Sequence, residues 1–229
     1  MTNTTITKLI ISTAIVITLL GNFTFYSNVL NTYPLSARNM VFLVSLVFVW
    51  GGATVFLLSL VCYRYTVKPL LIIVLLASSM AAYFMDTYNV IIDDAMINNI
   101  LHTDTAEALD LISVKQFFYL LVIGILPSIF IYRVNIVALP FKKAVISRLK
   151  LTGFSLLIVL SIILLLSDFY SSFFREHKEL RYYANPGYYI YSAIKYASNA
   201  VDTETRTLKQ IGLDAEIPET DVERELIVL

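Results

Sequence analysis

One cysteine, Cys62, is all the chain has, so it closes no internal disulfide and builds no cysteine metal site of its own. Cys62 ends an apolar run beside Tyr63 and Arg64, where a free thiol behaves as a small packing residue. Charge is scarce too. Only 15% of the 229 residues are Asp, Glu, Lys or Arg, against about 25% in a soluble domain. Net charge is zero, and no basic cluster interleaves with aromatics, which speaks against a nucleic-acid partner. The two histidines, His102 and His177, have no second ligand at helical spacing. No glycine-rich phosphate loop, GxSxG elbow or HExxH occurs.

What fills the space is apolar: 58% of the residues are hydrophobic. A helix needs roughly 20 apolar residues to cross a bilayer. Five runs reach or approach that length, at about Leu9–Phe25, Met40–Cys62, Leu70–Met85, Phe117–Tyr132 and Leu151–Leu166. The first is too long for a secretory signal, has only Lys8 at its start and lacks a small-residue cleavage site, so it reads as a retained anchor. Gly51, Gly52 and Ala53 permit close helix approach. Pro127 predicts a kink in the fourth run. Asn22 and Thr24, near the end of the first, are placed to bond across helices or to face a water-filled cavity.

Lysine and arginine set the orientation. Arg64 and Lys68 lie between runs two and three, and Arg133, Lys142, Lys143, Arg148 and Lys150 between runs four and five, where no acid occurs. The loop between runs one and two has only Arg38. Between runs three and four, Asp86, Asp93, Asp94, Asp104, Glu107 and Asp110 face a lone Lys115. The alternation puts the N-terminus inside and everything after about Asp168 outside.

The acidic connection is not featureless. Met96, Ile97, Ile100, Leu101, Ala108, Leu109 and Ile112 recur at helical spacing and predict an amphipathic helix on the outer surface, with Asp94 capping its start and Asp93 beside it. Asn99, Thr103 and Glu107 form a stripe on the neighbouring face. An amide, a hydroxyl and a carboxylate can hold a primary ammonium and its neighbouring oxygens. Any amphipathic helix also has a polar stripe, and spacing alone leaves both readings open. The acids can in principle hold a divalent cation or form a solvated face.

After the fifth run, Phe169, Tyr170, Phe173, Phe174, Tyr182, Tyr183, Tyr188, Tyr189, Tyr191 and Tyr196 suggest membrane-interface helices, with Arg175, Lys178 and Arg181 placed to meet lipid phosphates. Asn185-Pro186-Gly187 breaks them in two. From about Asp202 the chain reads as a polar linker, and the closing "ELIVL" as the first half of a buried strand, so a soluble domain is expected beyond it. The expected fold is an all-α membrane protein with five transmembrane helices and amphipathic outer helices. It comprises a five-span domain over 1–168 with a helical loop at 86–115, interfacial helices over 169–200 and a linker over 201–229.

Several motifs in order carry a resemblance: "NFTFY" at 22–26, "TYP" at 32–34, "YRYTVKP" at 63–69, "YFMDTY" at 83–88, "MINNILHTDTAEALDL" at 96–111, "ILPS" at 125–128 and "SFFREHKELRYYANPGYYIYS" at 172–192. With these the chain resembles the N-terminal membrane domain of lipid A phosphoethanolamine transferases, the family that includes the mobile colistin-resistance enzymes. The resemblance implies a bacterial inner-membrane enzyme, its N-terminus cytoplasmic and its C-terminus periplasmic. Such an enzyme moves phosphoethanolamine from phosphatidylethanolamine, through a threonine near zinc, to lipid A, and so confers polymyxin resistance. It further implies that Tyr88, Asn99, Thr103 and Glu107 bind lipid substrate, and that the nucleophile and zinc ligands lie in a catalytic domain absent from this chain. A small transporter subunit and a non-catalytic anchor are the alternatives. No charged residue in the middle of a run and no visible repeat weigh against transport. The long polar outer loop weighs against a plain anchor.

Overall fold

The computed structural model describes residues 3–104, 113–137 and 139–205. Two compact units are distinguished, Met1–Tyr196 and Ala197–Leu229, and only a helical stretch of the second, to Thr205, is described.

The first unit is a helical membrane bundle. Helices α1 (Ile6–Leu20) and α2 (Phe23–Thr32) form one broken span, bent by 54°. Helices α3 (Ala37–Val61), α4 (Val67–Tyr88), α6 (Val114–Arg133) and α7 (Phe141–Leu165) are each long and apolar enough to cross a membrane. The five expected runs thus correspond to four unbroken helices of spanning length and one bent pair, which makes a fifth span when counted as one. Side-chain caps start several of the helices: Thr5 accepts from the Lys8 amide, Ser36 from Asn39 and Ser113 from Gln116. Asn89, left-handed at φ 53°, ends α4.

Where Pro127 predicts a kink, α6 carries a π segment, Leu120–Ile125. The Leu126 amide donates to the Leu121 carbonyl, five residues back. Gly124 in that segment lies so close to α4 that a Cβ there would stand 2.9 Å from the Ser79 hydroxyl. Gly52 serves α7 in the same way, since its Cβ would stand 2.8 Å from a Val159 methyl.

At one end of the bundle the N-terminal Asn3–Thr4 pairs in parallel with Asn135–Ile136. There Lys68 also donates to the Tyr132 carbonyl at 2.9 Å, and Arg148 donates to the Leu60 carbonyl. The N-terminus and both basic loops thus share one end, as the charge alternation requires. Cys62 is buried in the core there with Leu9, Ile10, Leu58, Leu71 and Ile131.

At the opposite end lie α5 (Asp94–His102), α8 (Ser167–Arg175), a 3-10 turn (Leu180–Tyr183) and, as far as Tyr196, the start of α9 (Gly187–Thr205). The aromatics after the fifth span depart from expectation. Tyr170 and Phe173 are fully buried among Phe25, Phe42, Leu46 and Val49 instead of lying at a membrane interface. The Tyr170 hydroxyl and Ser45 are hydrogen-bonded at 2.8 Å. Tyr189 bonds Ser78 and the Val74 carbonyl inside the bundle. The sequence contains enough aromatic surface for either place. The broken span decides between them, because α2 and α3 offer Tyr170 and Phe173 a pocket of rings to enter.

Candidate functional site at the outer end

The site grows from the end of α4. Asp86 closes that apolar run, and a carboxylate so placed must be paired. One of its oxygens accepts from the Thr24 amide at 2.9 Å and from the Thr24 hydroxyl, the other from the Tyr119 hydroxyl at 2.9 Å. Lys115 donates to the Asp86 carbonyl at 3.4 Å. One side chain thus joins α2, α4 and α6. Beside it the hydroxyls of Tyr83 and Ser113 meet at 2.8 Å. Tyr88 stacks on Phe84 with ring centroids 5.9 Å apart and stands edge-on to Tyr83 at 6.0 Å, leaving its ring half exposed.

A second lock holds the break in the first span. Asn22 Nδ2 donates to the Ile17 and Asn185 carbonyls and its Oδ1 accepts from the Asn185 amide, all at 2.9 Å. Asn185 Nδ2 returns 2.9 Å bonds to the Gly21 and Ser78 carbonyls. Both asparagines are buried, and the Asn185-Pro186 bond is cis. Asn22 and Thr24 therefore bond across helices, the first of the two options open to them.

Helix α5 rests on this end through Met96 and Ile97, which pack against Ala81, Met85 and Ile92. Its cap is Asp93, accepting from the Met96 amide at 2.8 Å, and not Asp94 as expected. Asp94 instead pairs with Lys195 of α9, at 2.9 and 3.0 Å to its two oxygens. That bond holds the Asp94 carboxyl below its usual range and raises Lys195. The Tyr196 hydroxyl donates to Asn98 at 3.3 Å. The helix is shorter than expected. It ends at His102, and Thr103 is extended, with its hydroxyl donating to the Asn99 carbonyl at 2.7 Å. Asn99 is exposed, and among the described residues its side chain has no partner. With its hydrogen engaged, Thr103 Oγ1 is left an acceptor, and Asn99 Oδ1 is another. Glu107, Asp110 and the rest of the expected stripe lie outside the described residues.

Of the sequence-derived residues, Tyr88 stands at the end of α4, Asn99 on the helix that rests on that end, and Thr103 just past that helix. The sequence reading missed Asp86 and Asn185. For Asp86 the available signal was its place at the close of an apolar run; for Asn185 there was none beyond its turn.

A broken first span, four further membrane-spanning helices and a polar cap at one end define a polytopic membrane domain. The model of the phosphoethanolamine transferase EptA/EptB family matches residues 51–201, and the chain belongs to that family. It is 37% identical over 191 residues to the phosphatidylethanolamine transferase Mcr-1 of Escherichia coli, covering 83% of this chain and 35% of that protein. With the phosphoethanolamine transferase EptA of Salmonella typhimurium it shares 30% over 161 residues, 69% of this chain and 29% of that one. The fold is that of the integral membrane lipooligosaccharide phosphoethanolamine transferase A from Neisseria meningitidis, with a TM-score of 0.84, 23% identity and coverage of 91% of this chain and 38% of that chain. The chain thus spans about a third of the length of these curated relatives. Among the described residues no group of three or more His, Cys, Asp or Glu is placed to hold a metal. They do not fit a zinc site.

Proposed function

We propose that this chain is the membrane domain of a phosphoethanolamine transferase of the bacterial inner membrane. Its N-terminus is cytoplasmic and its α5 end periplasmic. The donor is phosphatidylethanolamine and the acceptor lipid A, which gains a cation and binds polymyxins less well. The nucleophile and zinc belong to a catalytic domain outside this chain. Family membership over residues 51–201 carries this reading. The chemistry at the end of α5 supports it, because an ammonium group is donor-only and Thr103 Oγ1 and the Asn99 Oδ1 are free acceptors. Tyr88 offers a half-exposed ring at the same end, and Glu107 supplies the charge that pairs with the amine.

The test is a chimera in which this chain replaces the matching third of Mcr-1. Mass spectrometry of lipid A from cells carrying it should show added phosphoethanolamine. Unmodified lipid A from a well-expressed chimera would overturn the reading. Within the chimera, Glu107→Gln should lose most of the modification, because the amide keeps the shape and removes the charge. Full modification there would remove Glu107 from the site and leave the family reading intact.

A further inference from the structure

At the basic end, a shallow, largely open groove of about 590 Å³ runs between α1 and α7. Thr7 of α1 and Ser147 of α7 close its margin, their hydroxyls 3.3 Å apart. In that pair one hydroxyl donates to the other and the second keeps a hydrogen to offer outward. Lys150 stands on the rim, exposed and, among the described residues, without an ion pair. Below it the walls are apolar, and Phe154 and Leu157 are 66% and 61% exposed. Gly153 leaves a notch, since a Cβ there would meet nothing within 4 Å.

Such a surface on a spanning helix is covered by lipid, and its charge selects the kind. The stretch 133–150 holds five cations and no acid. Arg148 is already engaged, lying 3.6 Å over the Tyr63 ring and donating to the Leu60 carbonyl. Lys142, Lys143 and Lys150 are exposed and form no ion pair among the described residues. No carboxylate in this stretch could receive a lipid ammonium, in contrast to the acidic outer end. We propose that α1 and α7 form a binding site for an anionic phospholipid of the inner leaflet. Lys150 and the Thr7–Ser147 hydroxyls face its phosphate, and an acyl chain lies in the notch at Gly153. The site is separate from the outer end and does not depend on the transferase reading.

Electron paramagnetic resonance of spin-labelled lipids tests it, with the full chain reconstituted in phosphatidylcholine vesicles. The immobilised fraction of labelled phosphatidylglycerol should exceed that of labelled phosphatidylcholine and phosphatidylethanolamine. Lys150→Gln should cut that preference roughly fivefold, the weight of one cation near an anionic surface. Gly153→Leu, which fills open space, should reduce the immobilised fraction of all three lipids and leave the circular dichroism melt unchanged. Equal association of the three lipids with the unaltered chain, a preference that Lys150→Gln leaves untouched, or an immobilised fraction that Gly153→Leu leaves untouched, each in a folded variant, overturns the proposal.

Discussion

Asp86 illustrates how much one side chain does at the outer end. It gathers two donors from Thr24 and one from Tyr119, which are 62 and 33 positions away in the chain. Asparagine at this position keeps one acceptor oxygen and turns an amide toward hydrogens. Asp86→Asn should therefore destabilise the bundle by about 1–3 kcal/mol, the usual cost of stranding a charged acceptor's partners. Thermal unfolding in detergent reads this directly, and an unchanged melt would mean that water satisfies the donors equally well. The sequence displays Asp86 only as one more acid in an acidic loop, because charge is visible locally and partners are not. For Asn22 and Thr24 the sequence left two places open, a cross-helix bond or a water-filled cavity, since polar residues near a membrane end need partners. Which partners they take depends on Asn185 and Asp86, and only the fold brings those near.

Among the elements, α5 shows both the reach and the limit of periodicity. Its apolar face is seated only at its start, through Met96 and Ile97, while Ile100 and Leu101, which share the predicted spacing, are exposed. Its two ends differ from the expected ones, because capping turns on the geometry of single residues: Asp93 bonds the Met96 amide, and Thr103 folds onto the Asn99 carbonyl. That frees Asp94 to tie α5 to Lys195. The depressed Asp94 value means that its share of the tether is complete above the ordinary carboxylate range and is lost as pH falls through the lowered value. The raised Lys195 value means that its share is complete below the ordinary lysine value and is lost as pH rises through the raised one. The tether is therefore whole at neutral pH and opens on acidification. Spin labels at Ala95→Cys and Tyr191→Cys, on a Cys62→Ser background, should give a narrow distance distribution at neutral pH. The distribution should broaden at a pH below the carboxylate range, and Lys195→Ala should broaden it at neutral pH. The bundle's melting temperature should hardly move, because an exposed ion pair contributes little to stability. Identical distributions across these conditions would show that the Tyr196–Asn98 hydrogen bond suffices.

At the scale of the whole molecule, the loops alternate in charge and the bundle alternates in direction, and the two patterns agree. Residues 3–4 pair with 135–136, and the basic segments around Lys68 and Arg148 meet neighbouring spans at the same end. The opposite end gathers Asp86, Asp93 and Asp94. Five apolar runs and a count of lysines made this much legible in advance. The break at Gly21 and Asn22 was not, since a continuous apolar run gives no sign of a bend held by an asparagine far along the chain. The agreement shows which segments share an end; the compartments proposed above rest on the excess of cations expected on a cytoplasmic side. Because Cys62 is the only native cysteine and is buried, a Cys62→Ser background allows a clean test. A membrane-impermeant thiol reagent applied to intact spheroplasts should label Arg38→Cys and Lys178→Cys, in the two segments assigned outside. Arg64→Cys and Lys143→Cys should react only after permeabilisation. The reverse pattern would invert the domain, placing Asn99 and Thr103 in the cytoplasm and the Lys150 groove in the outer leaflet. Both lipid-site readings depend on that polarity, because an ammonium-seeking end and a phosphate-seeking end must each face the leaflet that supplies its ligand.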